Sequence, residues 1–379
     1  MPSQIRRSPG TAMPAPTLKY GQTFGPYVIT GFAGSGATSY VYKARRKDRF
    51  EPVAIKVLHP HLVADHRKRL TFYREARIMM RMQHPNVVRF EEIIEEGDVL
   101  AFVMEYIDGV TLSEWRESVN EEIDELNLAC VFVDVLRGVA AAHSEGVVHR
   151  DLKPANILIT ELEGRAVAKI IDFGVARFVD QAPTEQESSK IVGTAAYISP
   201  EEVGNPTAVG HASDLYSIGV MLYEAACGRR PFEGMDVKEL LEAHVKVSPA
   251  RPRAVNPGVS TSMEEVILKT LDKDPSARFS TAPEMIQALE KALQDAWLRE
   301  TVGIDPQSLV ETAQWNRESF SPASLEQAAV QAQKSVRIRS FFKRCLEAAF
   351  TLMASPGLEE KQGHYHYLGR PGDAQMPFR

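Results

Sequence analysis

The chain has 379 residues, of which 44% are hydrophobic and 25% are charged, and its formal net charge is −6. These values are typical of a folded globular protein and exclude a mainly disordered or fibrous chain. A mildly acidic chain is also a poor candidate for a general nucleic-acid binder, which is usually basic. At roughly 150 residues per domain, the length predicts two or three lobes or domains.

The three cysteines, Cys130, Cys227 and Cys345, lie far apart along the chain. Their spacing fits neither a metal site nor a disulfide framework, which favours a reducing compartment. The first residues lack the apolar core of a secretory signal, and no apolar run approaches the roughly 20 residues that span a bilayer. We therefore expect a soluble, cytoplasmic protein without a transmembrane segment.

Composition and periodicity divide the chain into three parts. Residues 1–26 are rich in Pro, Ser, Gly and Thr and are predicted to form a flexible leader. Strand-like and helical patterns of apolar residues cover 27–293, the predicted folded region. The tail, 294–379, has one helical candidate near 323–353 and an end that is predicted to be disordered.

Five segments at the start of the regular region carry β-branched and aromatic residues between turn signals and predict strands. They are 27–30, 40–44, 53–58, 87–94 and 100–106. One segment, 65–82, has apolar residues at helical spacing and predicts an amphipathic helix. Helical patterns dominate further along, beginning with a long helix over 122–145. These patterns predict an α+β fold with a small sheet-rich lobe and a larger helical lobe.

Two motifs in the small lobe suggest phosphate binding. Gly31, Gly34 and Gly36 lie between two predicted strands, and glycine lets backbone N–H groups approach phosphates closely. Such a stretch alone is more often only a turn. Lys56 emerges from an apolar strand and either reaches solvent or meets an anion. Glu75, in the predicted helix, is the obvious carboxylate partner.

Two motifs in the larger lobe carry further polar groups. In the segment 149–156 (HRDLKPAN), Asp151 can accept a proton, Lys153 can neutralise a phosphate and Asn156 can ligate a metal. A solvated loop is the alternative, but the apolar residues on both sides fit it poorly. Asp172 ends an apolar strand before Phe-Gly and suits a divalent cation, although such acids are more commonly part of a β-turn.

The order and spacing of these motifs resemble the eukaryotic-like (Hanks-type) protein kinases, in a bacterial style, over 27–293. The resemblance implies the bilobal protein kinase fold, with a β-rich N-lobe (27–107) and a helical C-lobe (108–293). It implies that ATP and Mg²⁺ bind and that the γ-phosphate is transferred to protein substrates. Lys153-Pro154 and Gly193-Thr194 resemble the Ser/Thr-directed members.

The resemblance also implies a role for each motif residue. Asp151 is expected to be the catalytic base, Lys153 to stabilise the transferred phosphoryl group, and Lys56 to contact the phosphates while paired with Glu75. Asn156 and Asp172 are expected to hold Mg²⁺. The residues that the resemblance places around the nucleotide are Gly34, Gly36, Val41, Ala54, Lys56, Met104, Glu105, Ile107 and Asp172. Further along, Asp214 should brace the catalytic loop, and Arg278 should pair with Glu201.

Control elements are less specific. Thr184, Ser188 and Ser189 are candidate phosphosites, with autophosphorylation expected at Ser188 or Ser189. The alternative is that Glu185 and Glu187 make this segment a solvated acidic loop. The tail is expected either to bind a partner or membrane through its basic residues or to dock on the kinase domain.

Two departures from the family pattern are both small residues. Ser39 replaces the third glycine of the loop, and Ser199 replaces the Ala of the Ala-Pro-Glu motif. No catalytic position is missing, which disfavours the alternative of a pseudokinase that serves as a scaffold or binding module. A small-molecule phosphotransferase is a third interpretation, but residues 193–201 and Arg278 resemble kinases that act on proteins.

Overall fold

The computed structural model of the chain describes residues 18–118, 125–174, 176–178, 195–205 and 208–302. Contacts divide the chain after Leu298, and both predicted lobes lie in the unit before that point. The predicted helix near 323–353 and the rest of the tail beyond 302 lie outside the described residues.

The N-lobe is built on one antiparallel sheet of six strands in the order β1-β2-β3-β4-β6-β5. The strands are β1 (Thr23–Phe24), β2 (Tyr27–Ser35), β3 (Ser39–Arg46), β4 (Pro52–Leu58), β5 (Phe90–Glu96) and β6 (Val99–Glu105). Two helices, α1 (Pro60–Val63) and α2 (His66–Arg81), connect β4 to β5. The short α1 was not predicted. Helix α2 begins where Asp65 accepts hydrogen bonds from two backbone N–H groups of the first turn.

The C-lobe is mainly helical, as predicted. Its helices are α3 (Leu112–Ser118), α4 (Glu125–Ser144), α5 (Pro200–Gly204), α6 (His211–Cys227), α7 (Val237–Lys246), α8 (Pro252–Val255), α9 (Thr261–Thr270) and α10 (Ala282–Val302). Its short strands are β7 (Val110–Thr111), β8 (Val147–Val148), β9 (Ile157–Leu162), β10 (Arg165–Ile170) and β11 (Arg177–Phe178). They form a three-stranded sheet, β10-β9-β7, and a pair, β11-β8.

Helix α4 is the one helix in the described part of the chain that is long and apolar enough to cross a bilayer by length and composition. In the fold, 67% of its most apolar window is buried. Its apolar side chains, among them Leu128, Phe132 and Val139, belong to the main hydrophobic cluster. Burial inside the C-lobe is therefore enough to explain its apolar character.

Two hydrophobic clusters hold the described residues together. The larger one runs from α2 and the N-lobe sheet through α4 to α6 and α9, so it joins the two lobes. The smaller one covers the other face of the N-lobe sheet and includes Phe24, Tyr27 and Tyr42. Burial on both faces explains why the central strand β4 is an almost continuous apolar run.

Ordered structure extends past both predicted boundaries, at 26 and at 293, while residues 1–17 of the predicted leader lie outside the described residues. Leu18 is buried in the smaller cluster, and β1 pairs with β2, so ordered structure begins before residue 27. The sequence of residues 18–26 does not predict this order, because its few apolar side chains recur at neither helical nor strand spacing. At the other end, α10 continues to Val302 without a break at 293.

The predicted strand over 87–94 begins later than expected, at Phe90. Val87 and Val88 leave the N-lobe sheet and pair with the end of β10 instead. The Val88 N–H donates to the Ile170 carbonyl oxygen at 2.8 Å, and the Ile170 N–H donates to the Asn86 carbonyl oxygen at 2.9 Å. This contact fixes the chain directly before Asp172.

Candidate active site

Lys56 lies at the centre of a group of three charges, in which Lys56 and Glu75 are buried and Asp172 is partly exposed. Its Nζ donates to Glu75 Oε1 on α2 and lies 3.1 Å from Asp172 Oδ1. Only 8% of Lys56 and 5% of Glu75 are exposed. A buried ammonium needs such partners, because it has lost its water. The predicted Lys56–Glu75 pair is present, and Asp172 contributes a second carboxylate.

These three charges shift one another's pKa. Burial alone would lower the pKa of Lys56, but Asp172 and Glu75 outweigh burial and raise it. Burial raises the pKa of Glu75 to about 7, although Lys56 lowers it. Burial would also raise the pKa of Asp172, but Lys56 and the Gly174 N–H hold it well below its usual range. Asp172 therefore stays ionised, and Glu75 is the carboxylate that gains a proton first.

Gly174 is needed where the backbone passes these carboxylates. Its N–H donates to Asp172 Oδ1 at 2.9 Å. A Cβ at this position would lie 3.1 Å from the same oxygen and 3.5 Å from Glu75 Oε2. A larger residue would therefore crowd the Asp172 carboxylate, whereas its distance to Glu75 would be an ordinary van der Waals contact.

The second group of polar side chains surrounds Asp151. Lys153 Nζ donates to Asp151 Oδ1 at 2.9 Å and to Oδ2 at 2.7 Å. Asn156 Nδ2 donates to the Asp151 carbonyl oxygen at 2.7 Å and to Oδ2 at 3.2 Å. The 3₁₀ turn Pro154–Asn156 brings the side chains together. Since the Asn156 nitrogen is occupied, its side-chain oxygen is the atom that can bind a cation.

Asp214, on the buried helix α6, holds this loop in place. Its Oδ2 accepts the His149 N–H at 2.8 Å, and its Oδ1 accepts the Arg150 N–H at 2.9 Å. Arg150 has φ 63°, a left-handed conformation that is uncommon for a non-glycine residue and that these hydrogen bonds stabilise. His143 Nε2 lies 2.8 Å from Oδ2. No sequence motif pointed to His143, whose one signal was a polar residue in the last turn of an apolar helix.

The predicted nucleotide contacts include one apolar surface. Val41, Ala54, Met104 and Ile107 all pack in the main hydrophobic cluster, and Ala54 lies opposite Met104 in the sheet. At Gly34, an added Cβ would have no protein atom within 4 Å. The fold itself therefore has no need of glycine there, which fits a ligand that closely approaches this backbone.

The side chain of Glu105 is held away from ligand binding. Lys169 Nζ donates to its Oε1 at 2.6 Å, and the Arg89 N–H donates to the same oxygen at 2.9 Å. Its N–H also donates to the Arg89 carbonyl oxygen at 2.9 Å, so its main-chain carbonyl is the part that can serve a nucleotide. Lys169 belongs to no sequence motif, and its one signal was its place between the buried Ala168 and Ile170 of β10.

Ser199 performs a task that Ala could not. Its Oγ donates to Glu202 Oε1 at 2.9 Å, and the Glu202 N–H donates back to Oγ at 3.3 Å, a capping box that begins α5. The candidate phosphosites Thr184, Ser188 and Ser189 lie outside the described residues.

A family model described as the protein kinase domain matches residues 27–298. The chain belongs to this family. The matched range includes both the Lys56 group and the Asp151 group.

Curated relatives and solved structures agree with this membership. The serine/threonine-protein kinase PkaA of Streptomyces coelicolor is 36% identical over 263 residues, which are 66% of this chain and 48% of that protein. The serine/threonine-protein kinase PknB of Mycobacterium tuberculosis is 35% identical over 266 residues, 68% of this chain and 41% of that protein. The chain thus spans less than half the length of these relatives. The crystal structure of the Mycobacterium tuberculosis PknI kinase domain shares the fold, with a TM-score of 0.56, 23% identity and coverage of 73% of this chain and 100% of that chain.

Proposed function

We propose that the chain is a serine/threonine protein kinase, which transfers the γ-phosphate of ATP to Ser or Thr hydroxyls of protein substrates. The observation that carries the proposal is the presence of two complete charged groups. In one, Lys56 lies between Glu75 and Asp172. In the other, Asp151 is held by Lys153 and Asn156. The relatives named above are serine/threonine-protein kinases, which supports the substrate class.

ATP would bind between the glycine-rich hairpin and the apolar surface. Val41, Ala54 and Met104 offer that surface to an adenine ring, and the main chain of Glu105 and Ile107 offers hydrogen bonds to its edge. The Lys56 ammonium, whose raised pKa keeps it charged, would lie against the phosphates. The open space at Gly34 leaves room for the hairpin backbone to cover them.

Asn156 and Asp172 are the residues that would hold Mg²⁺. They are neighbours, because the Ile171 N–H donates to the Asn156 carbonyl oxygen at 3.0 Å. Both offer oxygen ligands, and the lowered pKa of Asp172 keeps its carboxylate ionised. When bound, Mg²⁺ neutralises negative charge on the phosphates. Two protein ligands suffice where phosphate oxygens and water complete the shell, and the described residues contain no denser cluster of His, Cys, Asp and Glu.

The chain's own residues would then position the reactants. Asp151 accepts the hydrogen bond of the substrate hydroxyl and directs its oxygen at the γ-phosphorus. As that oxygen bonds to phosphorus, the bond to the bridging oxygen of ADP breaks and the hydroxyl proton passes to Asp151. Lys153, already 2.7 Å from Asp151, stabilises the charge on the transferred group. The rate gain comes from position and electrostatics rather than from a covalent intermediate.

Activation by autophosphorylation is part of the proposal, at Ser188 or Ser189. The buried Nε of Arg150 has no hydrogen-bond partner among the described residues. A phosphate on the segment that follows Asp172 would provide a charged acceptor for it. Replacement of Thr184, Ser188 and Ser189 together by Ala should therefore slow the time-dependent rise in activity of unphosphorylated enzyme.

Intact mass spectrometry tests the proposed activity. The chain is incubated with Mg²⁺ and ATP beside Lys56→Met and Asp151→Asn, and a generic Ser/Thr-containing protein is added as a second acceptor. We expect added phosphate in the parent sample and none in either variant. A parent chain that binds ATP and transfers no phosphate to itself or to the acceptor would instead support a scaffold.

A further inference from the structure

His59 lies beside the tip of the glycine-rich hairpin, directly after β4. Only 2% of it is exposed. Its Nε2 is 3.1 Å from the Gly36 carbonyl oxygen, and its backbone N–H donates to the Thr38 carbonyl oxygen at 2.8 Å. One residue thus contacts the hairpin tip at two carbonyl groups, one on each side of Ala37.

The His59 imidazole donates its one hydrogen bond to the Gly36 carbonyl oxygen. A carbonyl oxygen accepts and does not donate, so Nε2 carries the proton. The other ring nitrogen, Nδ1, is buried without a partner among the described residues. The ring lies edge-on to Tyr40, with centroids 4.2 Å apart and planes at 83°. A leucine would fill this space without an unpaired nitrogen, so packing alone does not favour histidine.

A purely local role in helix α1 does not explain the histidine either. His59 is the residue before α1, but its side chain makes no capping hydrogen bond to that helix. The Leu62 N–H is satisfied by the His59 main-chain oxygen at 2.8 Å, which any residue provides. The hairpin contact is therefore the specific contribution of the imidazole.

The position of His59 connects the hairpin to the strand that carries Lys56. Both residues belong to one extended segment, three positions apart. Within the hairpin, the Gly36 N–H donates to the Ser39 carbonyl oxygen at 2.8 Å and closes the turn. Ser39, which replaces the family's third glycine, is 4% exposed and lies opposite Leu58 of β4. A hydrogen bond within the turn thus closes it, and the turn is held both by the pairing of Ser39 with Leu58 of β4 and by the contact with His59, the residue after β4.

We infer that His59 is a positioning residue for the nucleotide. Its hydrogen bond to the Gly36 carbonyl fixes the position of the hairpin tip relative to Lys56. The N–H groups of the tip can then bind the phosphates without the entropy cost of ordering the hairpin on binding. This inference rests on the proposed function, and His59 itself contacts no reacting atom. Loss of the contact affects nucleotide binding more than the chemical step.

The test compares His59→Leu with His59→Gln and His59→Asn. Gln can place an amide N–H near the position of Nε2, whereas Asn places it near Nδ1. We expect His59→Leu and His59→Asn to raise the KM for ATP and the Kd for MgATP about three- to tenfold, the loss of one hydrogen bond. The kcat should stay within about twofold, and His59→Gln should recover binding to within about twofold.

Hydrogen exchange gives a readout that does not depend on activity. In the apo protein, the peptide that contains residues 34–40 should exchange faster in His59→Leu than in the parent, while peptides of α4 should not change. The matched control is His61→Leu, which removes the exposed imidazole that stacks on His59, with centroids 5.6 Å apart and planes at 17°, but keeps the hydrogen bond between His59 and Gly36. It should behave like the parent chain.

Three results would overturn the inference. The first is that His59→Leu and the parent have equal MgATP affinity and equal hydrogen exchange. The second is that His59→Leu lowers kcat and leaves KM unchanged. The third is that His59→Gln and His59→Asn have equal KM values for ATP. The last comparison remains available if His59→Leu fails to fold. A parent chain that does not bind MgATP at all would count against the proposed function instead, so the two failures are distinguishable.

Discussion

A buried ion pair in each lobe shows two different ways to use charge inside a protein. In the C-lobe, Arg278 meets Glu201 through two hydrogen bonds of 2.8 Å each. In the N-lobe, Lys56 meets Glu75 and shares its charge with Asp172. All of these groups except Asp172 are nearly or fully buried. They differ in how completely their charges and hydrogen bonds are satisfied.

The C-lobe pair is saturated. Further Arg278 N–H groups donate to the carbonyl oxygens of Asp272 at 2.7 Å and Ala212 at 2.9 Å. Ser213 donates to Glu201 at 2.7 Å. One cation balances one anion. Such a pair connects α5 to the segment around Arg278 and fixes the geometry of this part of the C-lobe. It leaves no charge or hydrogen-bonding group free to bind a ligand.

The N-lobe group is unsaturated, because two carboxylates compete for one ammonium. The raised pKa of Glu75, about 7, reflects this imbalance as well as burial. A buried group with surplus negative charge can be completed by an incoming cation, whereas a neutral saturated pair cannot. Charge imbalance, rather than burial alone, therefore separates the binding group from the structural pair.

Arg278→Met should produce the largest loss of stability. It leaves Glu201 buried without a cation, and we expect the free energy of unfolding in urea to fall by about 3–5 kcal/mol. Burial would raise the pKa of Glu201, and it is Arg278 that lowers it. The loss should therefore be smaller at pH 5, where an unpaired Glu201 takes up a proton, than at pH 8.

The matched control removes both charges. The double variant Glu201→Gln with Arg278→Met should recover part of the lost stability, because no uncompensated charge remains. If the single variant cost less than about 1 kcal/mol, the C-lobe pair would not be the structural connection described above.

Lys56→Met should lower activity strongly but stability only slightly. We expect the single-turnover rate of phosphate transfer to fall by about 100- to 1,000-fold, since a preorganised charge on the phosphates is lost. Stability should change by no more than about 1 kcal/mol, because Glu75 can take up a proton when its partner is removed. Urea unfolding of the same sample provides the check. A loss as large as that of Arg278→Met would contradict the distinction between the two pairs.

Glu75→Gln should have a smaller effect and a diagnostic pH dependence. At pH 8 we expect activity to fall about tenfold, because Gln keeps a hydrogen bond to Lys56 without the charge. In the parent, Glu75 gains a proton as pH falls through about 7, so Lys56 loses one of its two carboxylate charges and kcat/KM declines between pH 8 and 6. The variant should lack this decline. An identical pH profile in the variant would show that another group titrates there.

Local features of this protein could be predicted from residue order. The helical spacing over 65–82 predicts α2 to within one residue at each end, and the apolar run over 53–58 predicts β4. Such patterns work because backbone propensity and capping depend on near neighbours. The prediction over 87–94 failed at Val87 and Val88 because an apolar run does not specify which strand it will join.

The sequence by itself therefore determined the family resemblance, the sheet-then-helix order and the identity of the charged residues. Tertiary structure alone decided which of them share a partner. Asp172 joins Lys56 across 116 positions, Lys169 joins Glu105 across 64, and His59 reaches Gly36 across 23. The physical reason is that a contact between distant positions depends on how the sheet and helices pack, and that packing is a property of the whole core rather than of any segment.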